Sequence, residues 1–555
     1  MSQRALPESQ PRIATRTAEA HASPPPRPWW HDAVIYQVYP RSFQDSDGDG
    51  VGDLPGIARR LDYLTWLGVD AIWLSPIYPS PLVDFGYDVA DYTAVDPVYG
   101  TLDDLDRLIA EAHARGLRLI LDLVPSHTSD QHPWFQASRS SRDDPKRDWY
   151  LWRDPAPDGG PPNNWLSHFG GSAWELDPRS GQYYLHSFVP EQPDLNWRNP
   201  EVLDAIAGVM RFWLDRGIDG FRVDVIHNLL KDEAFRDDPP NPDFTPGMGT
   251  NPYHALLHRH STDQPGVHGL LRWFRRVIDA YPGRVLIGEV EYGSSEERLA
   301  QFYGQGDELH LPLNFSLMTL PWRSSVIAEH LERYDAALPA GACPTFVIGN
   351  HDRARVATRI GPAQARVAAM LLLTSRNAPF VYYGDELGMR NVDLAPEHHR
   401  DPWGLRVPGH GRDPVRTPMR WDASANAGFT TGEPWLPVGD GAREQNVARL
   451  RADERSILTL YRRLLALRRG DAALARGRQR VLPVVGDVVG YLRGDDERRV
   501  WVALNLGSRE VEVVVPVPGG GEVVVSTWLD REGEPVGGSL RLRPDEGCVV
   551  VFGRG

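Results

Sequence analysis

Eight short apolar segments, each ending in polar or charged residues, recur along the chain and constrain its fold more than any other feature. They are rich in valine, isoleucine, leucine and tyrosine, as buried parallel strands are, and they read AVIYQVYPRSF, VDAIWLSP, LRLILDLVPSHTSD, GIDGFRVDVIHN, GRVLIGEVE, LHLPLNF, TFVIGNHD and PFVYYGDELG. Helical patterns lie between many of them, for example over residues 101–116 and 202–217. Eight strands alternating with helices predict an α/β chain built on a (β/α)8 TIM barrel.

Two long stretches interrupt this alternation and predict additions to the barrel. From His127 to about Asn196 the chain shows little helical pattern, and a long excursion inside a compact fold is usually functional. It predicts a small inserted domain, residues 128–196, after the third strand. A second irregular stretch, 386–448, predicts another wall of the barrel domain. The barrel itself then comprises residues 29–127 and 197–475.

The two ends of the chain differ in composition from the barrel. Residues 1–28 are polar and finish in a proline cluster, which predicts a disordered N-terminal tail. After about residue 478, alternating valine-rich segments such as REVEVVVPVP predict antiparallel strands. We therefore expect a C-terminal antiparallel β-sandwich domain over residues 476–555.

Composition argues against several classes of partner. The formal net charge of −15 over 555 residues disfavours nucleic acid or an anionic membrane as the main partner. An apolar run of about 18 residues is absent, so no membrane span is expected. Two cysteines, Cys343 and Cys548, provide no disulfide framework and predict a reducing, cytoplasmic compartment. A monomer and a homo-oligomer both remain open.

Polar residues at the predicted strand ends are the candidates for chemistry, because a barrel of this kind carries its active site there. The segment GFRVDV places Arg222 and Asp224 two residues apart on one strand, so their side chains point the same way. A neighbouring arginine favours the ionised carboxylate, and an oriented, ionised aspartate is a candidate nucleophile. The alternative is a structural ion pair at the strand end.

Two further carboxylates follow later strands. Glu289 ends the strand in LIGEVE, so Asp224 and Glu289 are expected to face each other across one barrel mouth. Retaining glycosidases place two carboxyl groups about 5–5.5 Å apart around the scissile bond. Asp352, beside His351 in GNHD, adds a third carboxylate suited to holding sugar hydroxyls; its alternative role is a helix N-cap.

Five segments, taken in order, resemble the marker regions of one enzyme family. DLVPSHTS, GFRVDVIHN, GEVE and VIGNHD are similar to the four short regions of the α-amylase superfamily, glycoside hydrolase family 13. QPDLNW resembles a fifth marker, typical of the α-glucosidase and oligo-1,6-glucosidase branch. The resemblance runs from about Trp29 to the C-terminus.

This resemblance implies roles for the residues at the strand ends. Asp224 matches the nucleophile of a retaining mechanism, Glu289 the general acid/base, and Asp352 the stabiliser of the transition state. The remaining matched residues correspond to ligands of the glucose ring in the first pocket: His127, Arg222 and His351.

The resemblance also implies a pocket closed at one end. VDFGYDV resembles the segment in which an aspartate, Asp84, grips the far hydroxyls and an aromatic ring, Tyr87, stacks on the sugar. RTPMRWD resembles the segment whose arginine, Arg416, pairs with that aspartate. Phe169 and Phe188 match aromatic residues at the entrance; the alternative is that they form the core of the inserted domain.

The implied function is an exo-acting, retaining α-glucosidase that releases α-glucose from maltose and short α-gluco-oligosaccharides through a covalent glucosyl–Asp intermediate. Val225 follows the nucleophile, and valine there accompanies acceptance of α-1,6 bonds in this branch. The role of Glu291 in GEVE stays open. Alternatives are an oligo-1,6-glucosidase, a trehalose- or sucrose-active glucosyl transferase or isomerase, and a catalytically dead binding barrel.

The segment DSDGDGVGDL, after the first strand, predicts a cation site. Oxygen ligands at alternate positions suit Ca²⁺, with Mg²⁺ as the alternative, and the candidate ligands are Asp45, Asp47, Asp49, the Val51 carbonyl and Asp53. Gly56 occupies the position where a calcium-sensor loop carries its bidentate glutamate, so a structural ion is expected. The other interpretation is a metal-free loop that caps the next helix.

Overall fold

The computed structural model describes residues 27–247, 249–291, 293–495 and 498–553. The predicted disordered tail therefore lies, except for its last two residues, outside the described residues. In chain order the strands are β1 (Ile35–Val38), β2 (Ala71–Leu74), β3 (Arg118–Leu123), β4 (Trp152–Arg153), β5 (Trp174–Asp177), β6 (Gln182–Leu185), β7 (Gly220–Val223), β8 (Val285–Glu289), β9 (Leu311–Leu313), β10 (Thr345–Val347), β11 (Ala378–Tyr382), β12 (Arg478–Val481), β13 (Val488–Gly494), β14 (Arg499–Asn505), β15 (Val511–Val514), β16 (Gly521–Ser526), β17 (Pro535–Val536), β18 (Ser539–Leu542) and β19 (Gly547–Phe552).

The α-helices lie mostly between the strands of the first 470 residues. In chain order they are α1 (Pro40–Phe43), α2 (Leu54–Arg59), α3 (Leu61–Leu67), α4 (Leu102–Ala114), α5 (Pro133–Ser140), α6 (Pro200–Asp215), α7 (Val267–Asp279), α8 (Glu296–Gln301), α9 (Ser316–Thr319), α10 (Ser324–Ala337), α11 (Val356–Arg359), α12 (Pro362–Thr374), α13 (Pro402–Arg406), α14 (Val447–Ala452), α15 (Ile457–Gly470) and α16 (Ala472–Arg476). None of the helices in the described ranges combines the length and apolar composition needed to cross a membrane.

Eight parallel strands form the predicted barrel. They pair in the order β10-β11-β1-β2-β3-β7-β8-β9, and each overlaps one of the eight segments that the sequence marked as strands. Thr345 joins the two ends of this sheet: its hydroxyl accepts from the Asn314 amide at 3.1 Å and donates to the Pro312 carbonyl. The (β/α)8 prediction is confirmed.

Amphipathic helices cover the barrel, and α4 illustrates how the sequence sets their ends. Thr101 caps the helix in a capping box with Asp104, each side chain accepting from the other's backbone amide. Gly116, just past the helix, has φ +75°, a left-handed conformation that favours glycine. The apolar face packs inward through Leu105, Leu108, Ile109 and Ala112.

The segment between β3 and α6 folds over the C-terminal end of the barrel, where the inserted domain was expected. It contains α5 and a three-stranded antiparallel sheet in the order β4-β6-β5. An isolated bridge between His127 and Asp194 ties its far end to the chain just after β3, and a second bridge, between Tyr150 and Leu195, lies within the segment. A small apolar core built on Trp165, Trp174 and Leu185 supports this segment.

The C-terminal strands form two antiparallel sheets, as the sequence predicted. Six strands pair in the order β12-β13-β14-β19-β16-β17, and β15 pairs with β18. Side chains from both sheets share one apolar cluster, which includes Trp501, Val513, Leu540 and Val550. This shared core makes the domain a β-sandwich.

Candidate active site

A cavity of about 160 Å³ opens at the C-terminal ends of the barrel strands. Strand ends form its base, and the inserted segment and the 386–448 segment supply side walls. Its lining contains ten of the predicted residues: Asp84, Tyr87, His127, Phe169, Phe188, Asp224, Val225, Glu289, His351 and Asp352. The structure thus brings together side chains that lie up to 268 residues apart in the chain.

Arg222, buried beneath the cavity, contacts three carboxyl groups at once. Its Nη1 donates to Asp224 Oδ1 at 2.6 Å and to Asp122 Oδ1 at 2.9 Å, while Nη2 donates to Glu289 Oε2. Asp122 on β3 is the register partner of Arg222 on β7. One guanidinium therefore fixes the relative positions of Asp224 and Glu289.

Two of the carboxyl groups around Arg222, those of Asp224 and Asp122, hold protons more tightly than isolated carboxyl groups do. Burial raises the pKa of Asp224 well above its usual range; Arg222 lowers it, but the Glu289 and Asp122 carboxylates raise it again. Burial also raises the pKa of Asp122 to about 6. Two acidic side chains held on one guanidinium provide the residue types that a nucleophile and an acid require.

Val225, directly after Asp224, adopts a strained backbone conformation. Its φ of +35° and ψ of +54° lie in the left-handed region, which a β-branched residue rarely occupies. This turn directs the Val225 amide toward Glu289 Oε2 at 3.2 Å. The backbone next to the candidate nucleophile thereby helps to orient the candidate acid.

Asp352 has a different electrostatic environment from the Asp224–Glu289 pair. Its Oδ1 accepts from Arg412 Nη1 and Arg416 Nη2, both at 3.2 Å, and its Oδ2 lies 3.5 Å from His351 Nε2. Burial would raise the pKa of Asp352, but His351 and the arginines outweigh it and hold the pKa well below its usual range. Asp352 is therefore ionised.

A chain of hydrogen bonds fixes His351 and Tyr87. The Gln37 amide nitrogen lies 2.8 Å from His351 Nδ1, so Nδ1 accepts and Nε2 carries the hydrogen that faces the Tyr87 hydroxyl at 2.8 Å. The Tyr87 hydroxyl in turn donates to Asp122 Oδ2 at 3.1 Å, and the two rings are parallel, with centroids 5.4 Å apart. Burial lowers the pKa of His351 to about 3, so its imidazole is neutral.

One end of the cavity is closed by an ion pair that differs from the predicted one. Arg412 Nη2 lies 2.5 Å from Asp84 Oδ1 and 2.6 Å from Asp401 Oδ1. The expected pairing of Arg416 with Asp84 is wrong, because Arg416 instead donates to Asp352 and to the His351 carbonyl. We call the group Asp84, Asp401 and Arg412 the pocket floor.

Several residues that the sequence did not reveal contact the side chains that line the pocket. Gln192, in the QPDLNW marker, donates to Asp84 Oδ2 at 3.3 Å and lies 3.1 Å from His127 Nε2. Asp122 was recognisable as the one charged residue inside the apolar run that follows Arg118 in β3. Asp401 and Arg412 come from the 386–448 segment. Its sequence shows no helical or strand periodicity from which their positions could have been predicted.

Phe169 and Phe188 line the cavity rather than the core of the inserted segment. The Phe169 ring stacks on Trp403, with centroids 5.3 Å apart, and meets the edge of Phe188 at 5.4 Å. Phe188 stacks on His168 at 5.0 Å. These rings form an aromatic wall beside the carboxyl groups.

The aspartate-rich loop after β1 lies outside this cavity. Asp45, Asp47 and Asp49 each present a carboxylate oxygen to a group no more than 4.8 Å across. Asp45 accepts from the amides of Asp47, Gly48 and Gly50, and the Val51 amide donates to Asp49 at 2.8 Å. Asp53 is separate: its two oxygens accept from the Ser46 and Gly56 amides, and it caps α2.

The charges in this loop suit a hard cation. Among the described residues, no arginine or lysine forms an ion pair with Asp45, Asp47 or Asp49. Burial raises the pKa of Asp49, and the neighbouring carboxylates of Asp47 and Asp45 raise it further, which is the sign of mutual repulsion. Three clustered carboxylate oxygens that form no ion pair with a described arginine or lysine fit Ca²⁺ or Mg²⁺ chemistry. The helix-capping interpretation holds for Asp53 alone.

The fold and the strand-end carboxyl groups together define a glycoside hydrolase: a (β/α)8 barrel that holds two acidic side chains on one arginine, beside a third ionised one, in a cavity closed at one end. Residues 37–477 match the family model described as α-amylase, catalytic domain. The chain belongs to the α-amylase family.

Relatives in this family carry several specificities. The chain is 43% identical to a probable α-glucosidase of Rhizobium meliloti (strain 1021), over 92% of this chain and 95% of the relative. It is 40% identical to an oligo-1,6-glucosidase of Heyndrickxia coagulans, over 94% and 99%. A crystal structure of an α-glucosyl transfer enzyme is similar, with a TM-score of 0.90 and 43% identity, over 95% of this chain and all of that one.

Proposed function

We propose that this protein is an exo-acting, retaining α-glucosidase that releases α-glucose from the non-reducing end of maltose and short α-glucosides. The observation that carries this proposal is the joint attachment of Asp224 and Glu289 to Arg222, beside a pocket closed by Asp84 and Arg412. Two carboxyl groups held on one guanidinium favour the short separation of retaining enzymes over the wider one of inverting enzymes.

In the first step Asp224 attacks the anomeric carbon. Its lone pair forms a C–O bond as the bond to the leaving oxygen breaks, and Glu289 gives its proton to that oxygen. Arg222, 2.6 Å from Asp224, keeps the attacking carboxylate oriented. The product is a covalent β-glucosyl ester on Asp224.

In the second step Glu289 acts as a base. It takes a proton from water, which attacks the ester carbon and frees Asp224, so α-glucose leaves with its configuration retained. A sugar hydroxyl in place of water gives transglycosylation by the same route. The second step returns the proton to Glu289 and frees Asp224, so both side chains end the cycle as they began it.

Asp352 stabilises the charge that develops on the sugar ring. The ring gains positive character in an oxocarbenium-like transition state, and an ionised carboxylate next to it is favourable in a site shielded from water. Arg412 and Arg416 keep Asp352 ionised. The neutral imidazoles of His351 and His127 are available for hydrogen bonds to ring hydroxyls.

The pocket floor accounts for the exo action. Asp84 and Arg412 block continuation of the sugar chain beyond one glucose unit, and their polar atoms bind its far hydroxyls. Tyr87, held by His351 and Asp122, offers a ring face for stacking. A terminal glucose is therefore the unit that fits.

Replacing Asp84 with Asn should raise KM for maltose by about 10- to 100-fold, because a charged hydrogen bond to a sugar hydroxyl contributes about 1.5–3 kcal/mol. Steady-state kinetics on maltose measure this effect. Asp96→Asn is the matched control: Asp96 accepts from the amides of Ser80 and Val98 in the same region but does not line the cavity. An unchanged KM in Asp84→Asn would remove Asp84 from the substrate contacts.

Linkage preference is the second part of the proposal. We infer preference for α-1,4 bonds with side activity on α-1,6 bonds. Val225, next to Asp224, favours acceptance of α-1,6 bonds, but a single contact of methyl size biases the choice of linkage and does not dictate it. The oligo-1,6-glucosidase and glucosyl-transfer relatives favour the alternatives named from the sequence. A product profile on maltose, isomaltose, trehalose and sucrose ranks the linkages and separates hydrolysis from transfer.

We also propose that Asp45, Asp47 and Asp49, with the Val51 carbonyl, hold a structural Ca²⁺ outside the cavity. The ion would neutralise the clustered charge and take no part in bond breaking. Thr430 donates to Asp45, and the Trp435 amide donates to the Gly50 carbonyl at 3.0 Å. The ion would therefore strengthen the attachment of the 386–448 segment to the barrel.

Removing this ion should lower Tm by about 3–10 °C, because a ligand that binds only the folded state stabilises it. Thermal unfolding of the purified protein with and without EDTA measures the shift, and refilling with Ca²⁺ or Mg²⁺ identifies the ion. Asp47→Asn should unfold at a lower temperature and respond less to EDTA. Equal Tm values with and without chelator, in a protein free of bound metal by elemental analysis, would refute the site.

A further inference from the structure

One wall of the catalytic cavity has polar groups without a role in the proposed reaction. Glu291 lies two residues beyond Glu289, past the end of β8, and lines the cavity together with Tyr253 and His227. The donor glucose occupies the side of the pocket floor, and its leaving group departs past Glu289. Residues beyond Glu289 therefore face the acceptor, the molecule on the other side of the scissile bond.

The Glu291 carboxylate has no hydrogen-bond or ion-pair partner among the described residues, although the side chain is half-buried. Burial raises the pKa of Glu291 and the charge of Asp263 raises it further, whereas His258 and Arg298 lower it. Arg298 is already engaged with Asp263, at 3.0 Å between Nε and Oδ2. The carboxylate is thus a free acceptor of hydrogen bonds inside the site.

Tyr253 supplies a second unpartnered group on this wall. Its ring is fixed between His168, at 4.0 Å between centroids, and His258, at 3.6 Å. Its hydroxyl is buried without a hydrogen-bond partner within the described part of the chain, as is His227 Nδ1. Burial and then the charge of Glu291 raise the pKa of Tyr253, so the hydroxyl stays protonated near Glu291.

Unpaired buried polar groups are costly unless a ligand pairs with them. A protonated phenol and an open carboxylate that line the same cavity match a sugar hydroxyl, which both accepts and donates. The charge on this cavity is mainly negative: its lining includes five carboxyl groups against two arginines, Arg353 and Arg412. Arg412 is committed to Asp84 and Asp401, and Arg353 lies 5.9 Å from the Trp403 ring.

We propose that Glu291 and Tyr253 form an acceptor-binding clamp that takes neutral or amine-bearing sugars and rejects sugars that carry a phosphate. The clamp rests on the proposed glucosidase function, since it acts on the sugar that leaves or attacks during that reaction. The carboxylate accepts from the acceptor's hydroxyl or ammonium group, and the phenol donates to a neighbouring oxygen. A phosphate in this position meets the unneutralised charge of Glu291.

The test uses α-glucosyl fluoride as donor, because its leaving group is a single atom that does not occupy the acceptor side. Glucose, 6-amino-6-deoxyglucose and glucose 6-phosphate compete as acceptors at about pH 6, where the amine is protonated. The measured quantity is the ratio of the transfer products. We expect the wild-type protein to favour the amine over the phosphate by about tenfold or more, and Glu291→Gln to reduce that preference by about tenfold.

Two further variants make the result specific. Glu297→Gln removes the same charge from the outer surface, where Glu297 pairs with Arg333, and should leave the product ratio unchanged. Tyr253→Phe should weaken transfer to all three acceptors while the preference for amine over phosphate persists. A Glu291→Gln ratio equal to that of the wild type overturns the clamp.

Fluoride release separates failure of this inference from failure of the proposed function. If the wild-type protein releases fluoride but Glu291→Gln releases it no faster than Asp224→Asn, Glu291 belongs to the bond-breaking machinery and the clamp is refuted. If the wild-type protein itself does not release fluoride, the glucosidase proposal fails and the clamp falls with it.

Discussion

Asp224→Asn is expected to lower kcat/KM for p-nitrophenyl α-glucoside by roughly 10⁴-fold or more, with the fold retained. An amide has no charge to form the glucosyl ester, while its size and its contact with Arg222 are nearly preserved. Release of p-nitrophenol measures the loss, and circular dichroism with thermal unfolding checks the fold.

An external nucleophile, azide, and a matched control substitution test this expectation further. In Asp224→Gly, which leaves space where the carboxylate was, azide should attack the anomeric carbon once, so β-glucosyl azide accumulates in place of glucose. Asp219→Asn is the control: Asp219 is buried at the other end of β7, where it binds His113 and Arg284. It should lower Tm and keep its turnover. Full activity in Asp224→Asn would refute the assignment of Asp224 as the nucleophile.

Glu289→Gln is expected to lower kcat for maltose by about 10²- to 10⁴-fold, the usual range for loss of a general acid/base. Maltose suffers most because its sugar leaving group needs a proton. Formation of the glucosyl ester from α-glucosyl fluoride should be far less affected, since fluoride leaves without one. The ester then accumulates, because the introduced amide cannot activate water, and intact-protein mass spectrometry detects the added glucosyl group.

Azide gives the opposite stereochemical result in this variant. It needs no base, attacks the ester on Asp224 and should yield α-glucosyl azide, with faster turnover. The basic limb of the pH profile of kcat/KM should disappear as well, because the acid that must stay protonated has gone. Glu386→Gln, a buried glutamate at the end of β11 that accepts from Tyr36 and Tyr63, is the control. Unchanged maltose turnover in Glu289→Gln would contradict the acid/base role.

The barrel and its strand-end residues could be predicted because local patterns determine them. Each buried strand is a short run of apolar residues, and parallel strands around one axis bring their ends to one mouth. Once the eight segments were recognised, Asp224, Glu289 and Asp352 had to lie near one another. The register that sets Asp122 beside Arg222 was beyond reach, because pairing between strands is a tertiary property.

The pocket floor shows where such reasoning ends. The 386–448 segment has no regular period and carries several arginines close together, including Arg406, Arg412, Arg416 and Arg420. Arg416, which was expected to meet Asp84, lies four positions after Arg412, which does. The path of the folded segment decides which guanidinium reaches Asp84. The position of Arg416 in its motif therefore led to the wrong pairing. Glu291 is similar, since its free carboxylate becomes visible only when its surroundings are known.

The pocket floor also bears on how selectivity for substrate length can change during evolution. Chemistry resides on the strands, whereas two of the three floor residues, Asp401 and Arg412, belong to a segment attached to the barrel from outside. A deletion in that segment would open the closed end and let a long glucan thread through, with Asp224 and Glu289 untouched. The choice between trimming chain ends and cutting chain interiors can therefore change by remodelling one peripheral segment, independently of the catalytic step.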